Sequence, residues 1–282
     1  MEKQKTISKQ VSIEGIGLHT GNKSRVIFKP APENFGIKFV RIDLQDKPVI
    51  NAIIRYVSGT AVRGTTIANG TGQVHTIEHI LAVCSGLGID NLEILINNNE
   101  PPIMDGSAKP FADILIKAGI EEQNEEKNYF VVNQPVTYQS DKTTFIAYPS
   151  NDFSLDCKVN YDHPLIKEQQ ISLKIDAETF LEELAPARTF CFDYEIEALR
   201  SKGLAKGGNL SNAIVVGLKD IHNPEPLRFK NEFVRHKALD LLGDLFLIGR
   251  PIKAHIVAVR SGHNHNVSFT KELAKVGGLF VD

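Results

Sequence analysis

Glu121-Glu122-Gln123-Asn124-Glu125-Glu126-Lys127-Asn128 is the sharpest change of composition in this chain of 282 residues. The run is polar throughout and mostly acidic, and it separates an apolar helical pattern from a strand pattern. A domain boundary therefore belongs there, with one domain over residues 1–124 and a second over 129–282. Two domains of roughly 100 to 150 residues each are also what this length favours.

Before the run, period-two alternation and β-branched residues predict strands over 6–13, 25–29, 37–42, 50–57 and 65–68. A helix over 74–87 follows, then the strand Leu92–Ile96, a loop through Pro101, Pro102 and Gly106, and a helix over 107–119 with Pro110 in its first turn. After the run, strands are expected over 129–138, 144–148, 153–161 and 169–175, and helices over 177–184 and 194–201. A strand over 213–217, a long helix over 231–248, the strand Ile252–Val259 and a last helix complete the chain. Both halves thus pass from strands into a helix, a strand and another helix. That parallel predicts an α+β fold of two similar domains, each a largely antiparallel β-sheet layered with α-helices.

Composition narrows the function. The 32 basic and 34 acidic side chains nearly cancel, so no global field favours nucleic acid, and any anionic ligand must meet a local patch. No apolar run approaches 18 residues, and Met1 to Thr6 lead directly into alternating sequence without an apolar signal segment. These features predict a soluble cytoplasmic protein with no stable membrane insertion. Cys84, Cys157 and Cys191 are odd in number and far apart, which predicts free, mostly buried thiols.

The densest chemistry lies in His236-Lys237-Ala238-Leu239-Asp240. A helix stacks residues four apart, so His236 and Asp240 share a face and can grip one metal ion. Asp244 continues that stripe, while Leu241, Leu242, Leu245 and Phe246 fill the opposite arc. The competing reading is a solvated polar face. In the first half, Glu78 and His79 open a helix that is apolar almost all round, so burial obliges both to find partners. Capping of the helix dipole by Glu78, with His79 bonded to a backbone carbonyl, would also satisfy them. Taken together, His79, His236 and Asp240 make a two-histidine, one-carboxylate set that suits one catalytic zinc ion with a position left for water. Glu78 beside them is the candidate base.

Ser261-Gly262-His263 ends a strand and opens a helix. His263 becomes a general acid if Asp244 orients it and favours imidazolium; otherwise it is a loop histidine. Thr189 in Arg188-Thr189-Phe190 either donates to a developing oxyanion or bonds within a turn. His75-Thr76-Ile77-Glu78-His79 also fits the inverted zinc-peptidase pattern H-x-x-E-H, in which His75, Glu78 and His79 would act together.

The combination of Gly15-Ile16-Gly17-Leu18-His19-Thr20-Gly21, Thr76 to His79, Gly88 to Asn91, Pro102 to Ser107, Ala187 to Phe190, Gly207-Gly208, Phe233 to Asp244 and Ser261 to His263 resembles the UDP-3-O-acyl-N-acetylglucosamine deacetylases along essentially the whole length. That resemblance implies a zinc amidase of Gram-negative lipid A biosynthesis, built as two similar α+β domains with the metal between them. It implies zinc on His79, His236 and Asp240, Glu78 as base, His263 as acid supported by Asp244, and Thr189 at the oxyanion. Lys237 would help bind the sugar nucleotide, and Leu18, Phe190, Ile196 and Gly208 would lie near the sugar and an acyl passage. His75 would not be a ligand, and the protein is expected to be a monomer. Cys191 and Asn264-His265 depart from the family pattern outside the ligand set.

Overall fold

The structure, a computed structural model, describes residues 2–59 and 63–279. Positions 1 and 282, the outer ends of the two expected domain ranges, lie outside them. The first half contains β1 (Lys3–Ile7), β2 (Val11–Ile16), β3 (Lys23–Pro30), β4 (Ile37–Arg41), β5 (Val49–Asn51), β6 (Ile67–Asn69), β7 (Gly72–Val74), helix α1 (Glu78–Leu87), β8 (Leu92–Ile96), α2 (Lys109–Ala118) and β9 (Ile120–Glu126). The second half contains β10 (Phe130–Val131), β11 (Val136–Ser140), β12 (Thr143–Tyr148), β13 (Phe153–Asn160), β14 (Glu168–Lys174), α3 (Ala177–Thr179), β15 (Phe190–Phe192), α4 (Ile196–Ser201), β16 (Ile214–Val216), α5 (Glu232–Phe246), β17 (Ile252–Val259) and α6 (His263–Val276).

The two halves repeat one topology. The first sheet runs β2-β3-β8-β4-β5 and the second β11-β12-β17-β13-β14. In each, one pair is parallel, β4 with β8 and β13 with β17, and the other pairs along the path are antiparallel. The flanking helices correspond as well: α2 packs on β2 and α1, as α6 packs on β11 and α5. Alternation places Val26, Phe28, Phe39 and Ile94 inward from the first sheet, and Phe145, Ala147, Leu155 and Ile256 inward from the second. These side chains join one continuous apolar core spanning both halves.

The most extensive contact between any two elements is that of α1 with α5, the equivalent helices of the two halves. A glycine permits it. A Cβ on Gly243 would lie 2.1 Å from the backbone oxygen of Glu78, so only a residue without a side chain lets α5 meet the first turn of α1.

Some expectations change. The acidic run is mostly a strand rather than a linker: β9 pairs with β1, setting Lys3 opposite Glu126 and Lys5 opposite Glu122. Backbone pairing with β1, and the bond from Lys3 Nζ to the Asn124 carbonyl at 2.7 Å, hold a ribbon that its polarity alone argued against. The boundary read at residue 124 thus falls inside β9. The helix expected over 74–87 begins only at Glu78, because β7 reaches Val74 and Thr76 takes a left-handed φ of 52°. The strand expected over 6–13 divides into β1 and β2, that over 129–138 into β10 and β11, and that over 50–57 becomes β5 and a helical turn Ile54–Tyr56. Cys84 and Cys157 are buried and Cys191 is half-buried, all three unbridged.

Candidate active site

α1 delivers Glu78 and His79 from its first turn, α5 delivers His236 and Asp240 from one face, and α6 delivers His263 as its first residue. All five are buried, at 9% exposure or less, beside a cavity of about 230 Å³ that they line. The ligand atoms of His79, His236 and Asp240 lie within 4.8 Å of one another. Asp240 Oδ1 is 3.3 Å from His236 Nε2 and 3.9 Å from His79 Nε2. Ligands on a tetrahedral ion with bonds of ~2.1 Å stand about 3.4 Å apart, so the spacing fits. His236 Nδ1 donates to the Ala187 carbonyl at 3.0 Å, which leaves Nε2 as the free lone pair.

Two further observations fit a cation. Asp240 Oδ1 is buried without a hydrogen-bond partner, a costly state for an acceptor unless an ion completes it. Burial disfavours the protonated, non-ligating form of both histidines: reinforced by the His236 ring, it lowers His79 to about 3, and it lowers His236 as well. Burial opposes ionisation of Asp240, but His236, Lys237 and His263 outweigh it and hold the carboxyl well below the usual range.

Glu78 and His263 flank this trio. Glu78 Oε2 accepts from the Thr65 backbone N–H at 2.9 Å, while Oε1 lies 3.9 Å from His263 Nε2. Burial pushes Glu78 up to about 7, helped by Asp244 and Asp240 and opposed by His263. Burial disfavours charge on His263, yet Asp244, Asp240 and Glu78 together raise it to about 9. His263 Nδ1 donates to Asp244 Oδ2 at 2.9 Å, and the remaining capacity of Asp244 is filled by the Thr65 hydroxyl at 2.5 Å and the Asn266 amide at 2.9 Å. Asp244 is fully enclosed, and it meets the cavity through His263.

Leu18, Thr189, Phe190 and Lys237 line the same cavity. Lys237 Nζ donates to Asp240 Oδ2 at 2.6 Å and lies 5.7 Å from the centre of the Phe190 ring. Ile196 and Gly208 do not reach it; they line an adjoining cavity of about 410 Å³ with Leu199, Leu210, Ala213 and Val215, and Leu18, Thr189 and Phe190 border both spaces. His75 stands apart, its Nδ1 bonded to the Thr66 hydroxyl at 2.9 Å. Among the described residues the ion-holding group does not include His75, so the inverted-peptidase reading is not favoured.

A sequence profile for UDP-3-O-acyl N-acetylglycosamine deacetylase matches residues 4–275. The chain belongs to that deacetylase family. It is 42% identical over 270 residues to the UDP-3-O-acyl-N-acetylglucosamine deacetylase of Syntrophus aciditrophicus, covering 96% of this chain and 85% of that one. With the protein of the same name from Teredinibacter turnerae it shares 41% over 277 residues, 98% of this chain and 91% of the other. It is also 42% identical over 300 residues to the Bifunctional enzyme LpxC/FabZ of Chlorobaculum tepidum, covering 96% of this chain but 64% of that longer protein.

Several groups in this deacetylase site were not read from the sequence. Thr65 ties Glu78 to Asp244, which in turn holds His263, yet nothing in its local pattern marks it. Asn266 had a signal, since it lies one helical turn beyond His263. Glu232 is fully buried and takes three bonds from Arg188, N–H at 3.0 Å and Nε at 2.9 Å on Oε1 and Nη2 at 3.1 Å on Oε2, which fixes the segment that leads through Thr189 into β15 to the start of α5.

Proposed function

We propose that the protein is a zinc-dependent deacetylase that hydrolyses the N-acetyl group of UDP-3-O-acyl-N-acetylglucosamine to acetate and a free amine. One observation carries the reading: His79, His236 and Asp240 converge at a cavity with a buried carboxylate and a buried imidazole 3.9 Å apart on its wall. Zinc in that ligand set would polarise the amide carbonyl and bring water to a pKa of about 7.

The chain's own groups do the rest. Glu78 Oε1 takes a proton from the attacking water, a task suited to a carboxyl that burial has brought to about 7. The Thr189 hydroxyl donates to the oxygen that gains charge as the carbonyl carbon becomes tetrahedral. His263 Nε2 then gives its proton to the amide nitrogen as the C–N bond breaks, with Asp244 keeping the imidazolium aligned. Lys237 supplies a cation toward the sugar nucleotide. The adjoining cavity, with its largely apolar wall, takes the acyl chain.

Among the described residues no helix is long and apolar enough to cross a membrane. We place the activity in the cytoplasm of a Gram-negative bacterium, at a step of lipid A biosynthesis. Incubation of the zinc-loaded protein with the acylated N-acetyl sugar nucleotide is expected to release acetate and amine in equal amounts. Absence of turnover with metal bound would contradict the assignment.

A further inference from the structure

Glu100 is a buried carboxylate that no part of the proposed chemistry uses. It is 1% exposed and, among the described residues, has no cationic partner within ion-pair distance. Four donors satisfy it instead. Oε1 accepts from the Thr76 hydroxyl at 2.9 Å and the His19 N–H at 3.0 Å; Oε2 accepts from the Thr20 N–H at 2.8 Å and the Thr20 hydroxyl at 2.7 Å. The approach is so close that a Cβ on Gly17 would lie 2.5 Å from Oε2. A lone charge held in this way fixes the groups around it, because moving any of them strands a desolvated carboxylate.

Those groups lead to two places. Thr76 is a β-branched residue at a φ of 52°, a backbone state that costs of order 1–3 kcal/mol and persists only where neighbours enforce it. Its turn aims Glu78 and His79 into the site. On the other side, the loop held by Glu100 carries Leu18, which borders both cavities. That loop is also bonded to the second half, since the Gly207 N–H donates to the Leu18 carbonyl at 3.0 Å and the Lys206 N–H to the His19 carbonyl at 3.2 Å. Gly208, on the wall of the adjoining cavity, follows directly.

We propose that Glu100 is a positioning residue that couples the two parts of the site, setting the catalytic turn through Thr76 and the wall of the acyl cavity through Thr20. The proposal rests on the deacetylase reading for its kinetic consequences. Each bond to the charged oxygen is then separable. Thr76→Val keeps the shape and removes one donor, so it is expected to lower kcat with little change in KM. Thr20→Val loosens the Leu18 loop, so it is expected to raise KM for a long-chain substrate more than for a short-chain one, with kcat kept. Glu100→Gln places an amide N–H₂ against donors and is expected to do both, reducing kcat/KM by about ten- to a hundredfold at unchanged zinc content.

A merely structural Glu100 would instead lower the unfolding midpoint and leave the kinetic constants of the folded fraction unsplit. The test is steady-state kinetics of the three full-length variants with long and short acyl substrates, alongside amide hydrogen exchange of residues 17–20 and 75–79. Exchange rising in both segments together in Glu100→Gln supports the coupling whether or not the wild type turns over this substrate. Exchange unchanged in either segment, or equal effects of Thr76→Val and Thr20→Val on kcat and KM, overturns it. Failure of the wild type alone to deacetylate counts against the functional reading, not the coupling.

Discussion

Glu78 and His263 face each other across the cavity wall at 3.9 Å, and the proposed chemistry gives them opposite duties. A base works above its pKa and an acid below it. With Glu78 near 7 and His263 near 9, kcat/KM is expected to rise with pH as Glu78 loses its proton and to fall as His263 loses its own. Glu78→Gln should cost about 10²- to 10⁴-fold in rate, and His263→Gln should lose the falling limb while the rising limb persists. A pH–rate profile of the three proteins checks this, and a falling limb retained in His263→Gln would refute the assignment of the acid. At this scale the sequence was informative wherever helical spacing did the placing. His236, Asp240 and Asp244 could be stacked by counting residues. Thr65 and Glu100 could not, because Thr65 bridges residues 13 and 179 positions away and the partners of Glu100 lie 24 or more residues away, separations that no local periodicity encodes.

Among the elements, α1 and α5 decide whether the site exists. Gly243 brings them together, and its replacement sets two effects against each other. Glycine to alanine inside a helix ordinarily gains about 1 kcal/mol from propensity. Here the new Cβ would sit 2.1 Å from the Glu78 carbonyl oxygen, and overpacking of that kind costs about 1–3 kcal/mol. The clash wins because the α5 backbone fixes the position of the Cβ and the oxygen it meets belongs to the α1 backbone, so neither can swing aside. Gly243→Ala is therefore expected to lower the unfolding midpoint, displace the first turn of α1 and reduce kcat. Equal stability and rate would show that the helices do not need this approach. The elements themselves were legible where apolar periodicity was strong, as in Leu92–Ile96 and Ile252–Val259, which match residue for residue. They were misread where a single backbone angle or backbone pairing with a distant strand overrode the pattern, at Thr76 and in β9.

The molecule as a whole is one topology used twice. Strand order, the position of the parallel pair and the packing of both helices recur in each half. The repeat sets α1 against α5, so one half contributes Glu78 and His79 and the other His236, Asp240 and His263 to the same cavity. The repeat could be suspected from the order of sequence patterns, but not its register, since strand order within a sheet depends on pairings between distant segments. The most direct test of this shared centre is the metal content and acetate release of Asp240→Ala beside His75→Ala. Loss of both in Asp240→Ala, with both kept in His75→Ala, is the expected result; an Asp240→Ala protein that holds its metal and deacetylates at the wild-type rate would contradict it.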